Sequence, residues 1–314
     1  MFAVVGEALL DMVQPVPGGS YTAIPGGGPL NIAIGLQRLG CPTQMLARFS
    51  TGAMGRLVRE HAERNELALG HSVWTDDLTT LAFASLDPAG RASYDFYVSG
   101  TADWGWTPAD LAALPPGTRA AHTGSVAAFL QPGADVIVDA WERERTAGQI
   151  LLSFDPNVRP ALVGERASAV QRVERFVRAS HIVKASDEDL AWLYPQTDSI
   201  DALERWASLG PSLVVMTRGP DGCLAYLANG EAVAVAGVRV EVVDTIGAGD
   251  SFESGLLAGV ADFGLLDPAQ VPALDAEVVR TILDRAVTAS AMTCQRVGAN
   301  PPTKAELDTA LASR

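Results

Sequence analysis

Short runs of β-branched and other apolar residues alternate along most of the chain with stretches whose apolar positions recur every three to four residues. FAVVGE (2–7), AAHTGS (120–125), ILLSFDP (150–156), HIVKAS (181–186) and SLVVMTRG (212–219) have the length of strands, and each ends in polar or glycine residues. NIAIGLQRL (31–39), GRLVREHAERNEL (55–67) and SAVQRVERFVRA (168–179) have the period of helices. This rhythm predicts βαβ units, and so an α/β fold with a mostly parallel central sheet flanked by helices. Ligands of such sheets sit beyond the carboxyl ends of the strands, which makes the polar residues after each run the first candidates for chemistry.

One region departs from the rhythm. Residues of about 72–103 alternate apolar and polar around DPAGR (87–91), which predicts a β-hairpin. Together with residues of about 12–25 it would form a small β-sheet beside the main one, placed as a lid over a site or as an ordinary surface hairpin. The whole of 1–314 is expected to be one domain carrying this lid.

Composition narrows the function. The 314 residues are 48% hydrophobic, enough for a large core, with a formal net charge of −14 and no basic run, so the electrostatic footprint of a nucleic-acid binder is missing. The amino terminus begins at once as an apolar strand without a basic leader, and no apolar stretch reaches membrane-spanning length, so a cytoplasmic location is expected. Cys41, Cys223 and Cys294 are widely spaced, and His61, His71, His122 and His181 show no metal-ligand spacing. Lys184 and Lys304 are the only lysines, and neither stands in a Walker-type loop.

The chemistry concentrates in DTIGAGD (244–250). Gly247 and Gly249 permit close backbone approach, and the residues from Asp250 to Val260 carry Phe252, Leu256, Leu257 and Val260 on one helical face. The unpaired N–H groups at that helix start make an anion site. Asp250 can be a simple cap or a general base beside the anion site. Phosphoryl transfer needs both an anion cradle and a carboxylate that orients the attacking hydroxyl. The helix end is expected to lower the pKa of Asp250 and keep it ionised. GDSF also resembles the nucleophile block of GDSL esterases, with Ser251 as nucleophile, but no histidine follows it in the chain.

GGGPLNIAIGLQRLG (26–40) and DTIGAGDSFESGLL (244–257) resemble the two signature motifs of the PfkB, or ribokinase-like, carbohydrate kinases. DPNVRP (155–160), VKASDEDL (183–190), TRGPDG (217–222) and GANPP (298–302) stand in the family order and look most like its fructokinase branch. The resemblance implies an ATP-dependent sugar kinase with Asp250 as base and Gly247, Ala248 and Gly249 as the anion hole. It assigns Asp11, Gly27, Gly28, Asn31 and Arg159 to the sugar, and Lys184, Ser186, Thr217, Gly219 and Gly222 to the nucleotide. It further implies Mg2+ near Asp189, K+ beside Asp244 and Ile246, and a homodimer through the lid. Asp155 and Asn157 are expected to shape their loop rather than touch ligand. Glu253 departs from the apolar or small residue common in relatives, and no part in the chemistry is expected of it. Fructose leads as substrate, with 2-keto-3-deoxygluconate, another sugar or a nucleoside as alternatives, and a non-catalytic sugar or nucleoside sensor as the alternative of another class.

Overall fold

The computed structural model describes residues 1–14, 16, 18–86, 92–271 and 274–313. In chain order the strands are β1 (Phe2–Val5), β2 (Leu9–Val13), β3 (Thr22–Gly26), β4 (Thr43–Leu46), β5 (Arg48–Ser50), β6 (Val73–Thr75) and β7 (Leu81–Leu86). They continue as β8 (Ala92–Tyr97), β9 (Ala120–Gly124), β10 (Leu151–Asp155), β11 (Ile182–Ser186), β12 (Leu213–Thr217), β13 (Cys223–Leu227) and β14 (Ala232–Val235). The helices are α1 (Gly28–Arg38), α2 (Ala53–Arg64), α3 (Gly133–Ala147), α4 (Arg166–Ala179) and α5 (Asp187–Leu193), then α6 (Ser199–Ala207), α7 (Ala248–Asp262), α8 (Ala276–Cys294) and α9 (Lys304–Ala312).

The main sheet runs β14-β13-β12-β11-β10-β9-β1-β4. From β4 to β12 every pairing is parallel, and β13 and β14 close one edge antiparallel. The parallel strands are buried on both faces, which is why FAVV, LLSFD and LVVMT read as nearly unbroken apolar runs. One face packs on α1, α7, α8 and α9, the other on α3, α4, α5 and α6. Strand alternation sends Phe154, Val183 and Met216 to the second face, and His122, Ser153, Asp155 and Lys184 to the first, directly under α7.

The smaller sheet runs β3-β2-β7-β8, with β2 and β7 parallel and the other two pairs antiparallel. The predicted hairpin is therefore present as β7 and β8, while its turn at 87–91 lies outside the described residues. The predicted boundaries shift in two places. The sheet begins at Leu9, and β6 leaves it to pair with β5, because Thr75 and Trp74 register with Ser50 and Phe49 instead.

α7 also differs from expectation. Its apolar positions predict a single buried face, but every residue from Asp250 to Val260 is buried, since α1, α8 and the sheet enclose it. Close packing explains how: side chains at Gly35, Gly255 and Gly259 would press on Ser254, Ala286 and Ile282, so small residues let the three helices approach. The polar members of α7 then need internal partners. Ser251 Oγ donates to Ala289 O at 3.1 Å and accepts from Thr293 Oγ1 at 2.8 Å.

Candidate active site

α7 starts from Gly247 in the left-handed region, φ +75°, so its first N–H groups open toward the strand ends without a side-chain cap. A Cβ on Gly247 would come within 2.6 Å of Ala299 Cβ, which seats the loop against the turn at 298–300. Asp244 ties the same two segments together, with Oδ1 accepting from Ile246 N at 3.0 Å and Oδ2 from Gly298 N at 2.8 Å.

Asp250 is the third residue of the helix and does not cap it. Its Oδ2 accepts instead from Asn31 Nδ2 at 2.8 Å, across the contact between α7 and α1. Asn31 is aimed there because Gly27, the residue that caps α1, has a φ of +113° and turns the chain out of β3. Burial pushes the Asp250 carboxyl up, against the pull of Asn31, Lys184, Arg159 and His122. This corrects the expectation of a lowered pKa: the helix end is outweighed by loss of solvent. Burial likewise raises Asp11 to about 6, with Arg159 pulling it down and Asp250 pushing it up. Asp11, Asp250 and Arg159 thus share one electrostatic neighbourhood.

Lys184 Nζ donates to Asp155 Oδ2 at 2.8 Å, both groups being buried. Burial works to lower the Lys184 pKa, but the facing Asp155 wins and raises it, holding the ammonium charged. The same Nζ would lie 3.2 Å from a Cβ on Gly249, so a fixed positive charge sits under the glycine loop. Asp155 also accepts from Asn157 N at 3.0 Å, and Arg159 Nη1 donates to Asn157 Oδ1 at 2.7 Å. Gly28, Ser125, Asp155, Asn157 and His122 line a narrow crevice beside these groups.

The residues assigned to the nucleotide form a neighbouring group. Ser186 and Thr217 stand opposite each other at the ends of β11 and β12, and Gly219 and Gly222 occupy the turn that follows. Asp189 is held by protein: Oδ1 accepts from Val158 N at 2.7 Å, and Oδ2 from Ser186 N at 2.9 Å and Ser186 Oγ at 2.7 Å. No cluster of three or more metal-ligating side chains occurs among the described residues.

Sequence reading missed the buried polar set behind Asp250. Glu253, His122 and Ser153 contact one another with almost no exposure, a grouping that the sequence motif around Glu253 does not predict. The available signal was strand phase: His122, Ser153 and Lys184 fall on the buried alternation of otherwise apolar strands. Ser251, the nucleophile of the esterase alternative, faces α8 and is sealed there.

A helix-terminal anion cradle, a fixed lysine beneath it and a buried carboxylate held by Asn31 in the first turn of the same helix define an α/β enzyme site. It is suited to move an anionic group onto a hydroxyl. The chain belongs to the pfkB family of carbohydrate kinases, whose model matches residues 1–306. It is 35% identical over 283 residues to a fructokinase of Rhizobium leguminosarum bv. trifolii, covering 89% of this chain and 86% of that protein. The ribokinase-like fold is shared with the fructokinase of Xylella fastidiosa with bound ATP, at TM-score 0.90 and 25% identity over 99% of this chain and 98% of the other. A Vibrio cholerae O395 fructokinase double mutant with fructose, ADP and potassium bound gives TM-score 0.85 and 25% identity over 99% and 97%.

Proposed function

We propose that the protein is an ATP-dependent fructokinase that makes fructose 6-phosphate. The observation that carries this reading is Asp250, buried beside the Gly247–Gly249 cradle and oriented by Asn31 rather than capping its helix. Asp250 takes the proton of the sugar's hydroxymethyl oxygen as that oxygen bonds to the γ-phosphorus, and the bond from phosphorus to the ADP oxygen breaks. The N–H groups of Gly247, Ala248 and Gly249 receive the charge on the transferring group, and Lys184 reinforces them from below. A carboxylate raised by burial accepts that proton more readily than an exposed one.

Asp11, Asn31 and the backbone of Gly27 and Gly28 would hold sugar hydroxyls, with Arg159 at the rim toward the phosphates. Ser186, Thr217, Gly219 and Gly222 would receive the nucleotide, beside exposed Val242, Val243, Ile246 and Val297, which offer apolar surface for a base. Mg2+ would be held chiefly by the nucleotide phosphates, with Asp189, whose oxygens are already bonded to Ser186 and Val158, reaching it only through water, and it would neutralise phosphate charge. K+ would sit behind the anion loop, where Asp244 and the carbonyls around Ile246 supply oxygen. The Tyr21, Phe83 and Tyr97 rings, 5.1 and 5.3 Å apart on the small sheet beside exposed Ile24, support a homodimer through that face. Sedimentation equilibrium tests it: a monomer at all concentrations rejects the dimer.

ADP release measured with fructose, tagatose, ribose, 2-keto-3-deoxygluconate and adenosine tests the substrate. Fructose is expected to give the highest kcat/KM. Preference for the keto-acid moves the assignment to that kinase, with Arg159 on its carboxylate, and no turnover of any of them returns the sensor reading.

A further inference from the structure

Glu253 has no part in the chemistry above, yet it is fully buried one helical turn beyond Asp250. Its Oε1 accepts from Ser153 Oγ at 2.5 Å and lies 3.3 Å from His122 Nδ1, which is 3.1 Å from the same hydroxyl. The three residues come from α7, β10 and β9, with His122 and Ser153 directly opposite in register. Glu253 Oε2 and His122 Nε2 are buried without a hydrogen-bond partner. An apolar residue would fill position 253 without burying polar atoms, so packing alone gives no reason for this set.

The charged groups around the set come from each neighbouring strand and from α7 itself: Asp155 on β10, Lys184 on β11, and Asp250. Asp189, at the start of α5, faces Asp155 and Lys184 from the far side. On the other flanks of α7, α1 brings Gly35 and Asn31, and α8 brings Ala286 and Ala289. A carboxylate with no exposure needs an opposing charge or a full set of donors. Lys184 is bonded to Asp155, which leaves His122 as the group in contact with Glu253 that can carry positive charge. That imidazole lines the crevice beside Gly28 and Asn157, where a positive charge on the ring would favour the ionised form of Asp250.

We propose that Glu253 is a positioning residue for the phosphoryl transfer: through Ser153 and His122 it fixes the imidazole beneath the crevice, where a cationic ring would stabilise the Asp250 carboxylate. The inference rests on Asp250 being the base. It is tested by the pH profile of kcat, with fructose and ATP as probes, for the wild type, Glu253→Gln, His122→Gln and the double variant. Each single change should move the acid limb upward by about half a unit or more, a fraction of the 1–3 units of a charge in direct contact. The double variant should move it no further than either single one, because one interaction has been removed twice.

Acid limbs that coincide with the wild type in both single variants, with only thermal stability lost, overturn the proposal. So does a double shift equal to the sum of the two. Should the single variants fail to fold, Glu253→Met combined with His122→Leu leaves no polar atom of the pair unsatisfied, and an unmoved acid limb there overturns the proposal equally. A wild type that phosphorylates no sugar refutes the kinase reading itself, whereas an active wild type with coincident profiles refutes only the role of Glu253.

Discussion

Asp250 was legible from the sequence because it follows two glycines and precedes a helix. Its neighbours were not, since Asn31 lies 219 positions away and only the crossing of two helices brings them to 2.8 Å. Asp250→Asn retains an oxygen that accepts from Asn31 and so should keep the fold and ATP binding, while kcat falls ~10²–10⁴-fold, the usual contribution of a general base. Steady-state kinetics and nucleotide titration check both halves, and a kcat within about tenfold of wild type would remove the assignment. Asp11 makes a separate, pH-dependent prediction. With its pKa near 6, acidification below that value protonates a group placed to accept from sugar hydroxyls. The KM for fructose should therefore rise below pH 6, and Asp11→Asn should show a high KM that no longer changes there. A wild-type KM flat from pH 5 to 8 contradicts the role.

At the scale of elements, the anion loop is a short segment held at both ends, by Asp244 on Gly298 and by Gly247 against Ala299. Gly247→Ala forces a methyl group into that contact at a positive φ, where alanine loses roughly 1–2 kcal/mol. Its expected signature is a kcat loss of tenfold or more with little change in sugar KM, and an unchanged kcat would show that the loop tolerates the shift. The same loop should respond to monovalent cations. Turnover in K+ should exceed turnover in tetramethylammonium buffer at equal ionic strength, and equality in the two would dismiss the cation site. Glycine spacing made the start of α7 readable. Its complete burial was not readable, since Phe252, Leu256, Leu257 and Val260 describe one face, and the enclosing helices α1 and α8 come from distant parts of the chain. Asp189 shows the converse: a motif position that reads as a metal contact spends both oxygens capping α5 and holding Val158.

For the whole molecule, the order of strand-like and helical runs made the parallel sheet legible, because βαβ units leave few topologies open. The antiparallel edge and the capture of β6 by β5 depend on strand pairing, which the apolar pattern of strands as short as three to five residues does not encode. Global stability carries a titration of its own. Burial raises Glu7 from 4.5 to about 7, while its Oε2 accepts from Ala127 N at 3.0 Å. A folded-state pKa above the unfolded value means that stability from this group is complete below about 4.5 and is lost as pH rises through 7. Relative to wild type, Glu7→Gln should therefore gain stability between pH 5 and pH 8, as read by chemical denaturation at both; a difference independent of pH would exclude a titrating Glu7. The buried pair of Lys184 with Asp155 has one more consequence, for handling the protein rather than for its chemistry. Of the two lysines only Lys304 is open to solvent, on α9 and bonded to Asp262. An amine-reactive dye or resin will thus attach at Lys304 rather than at Lys184, leaving the phosphate cradle without label.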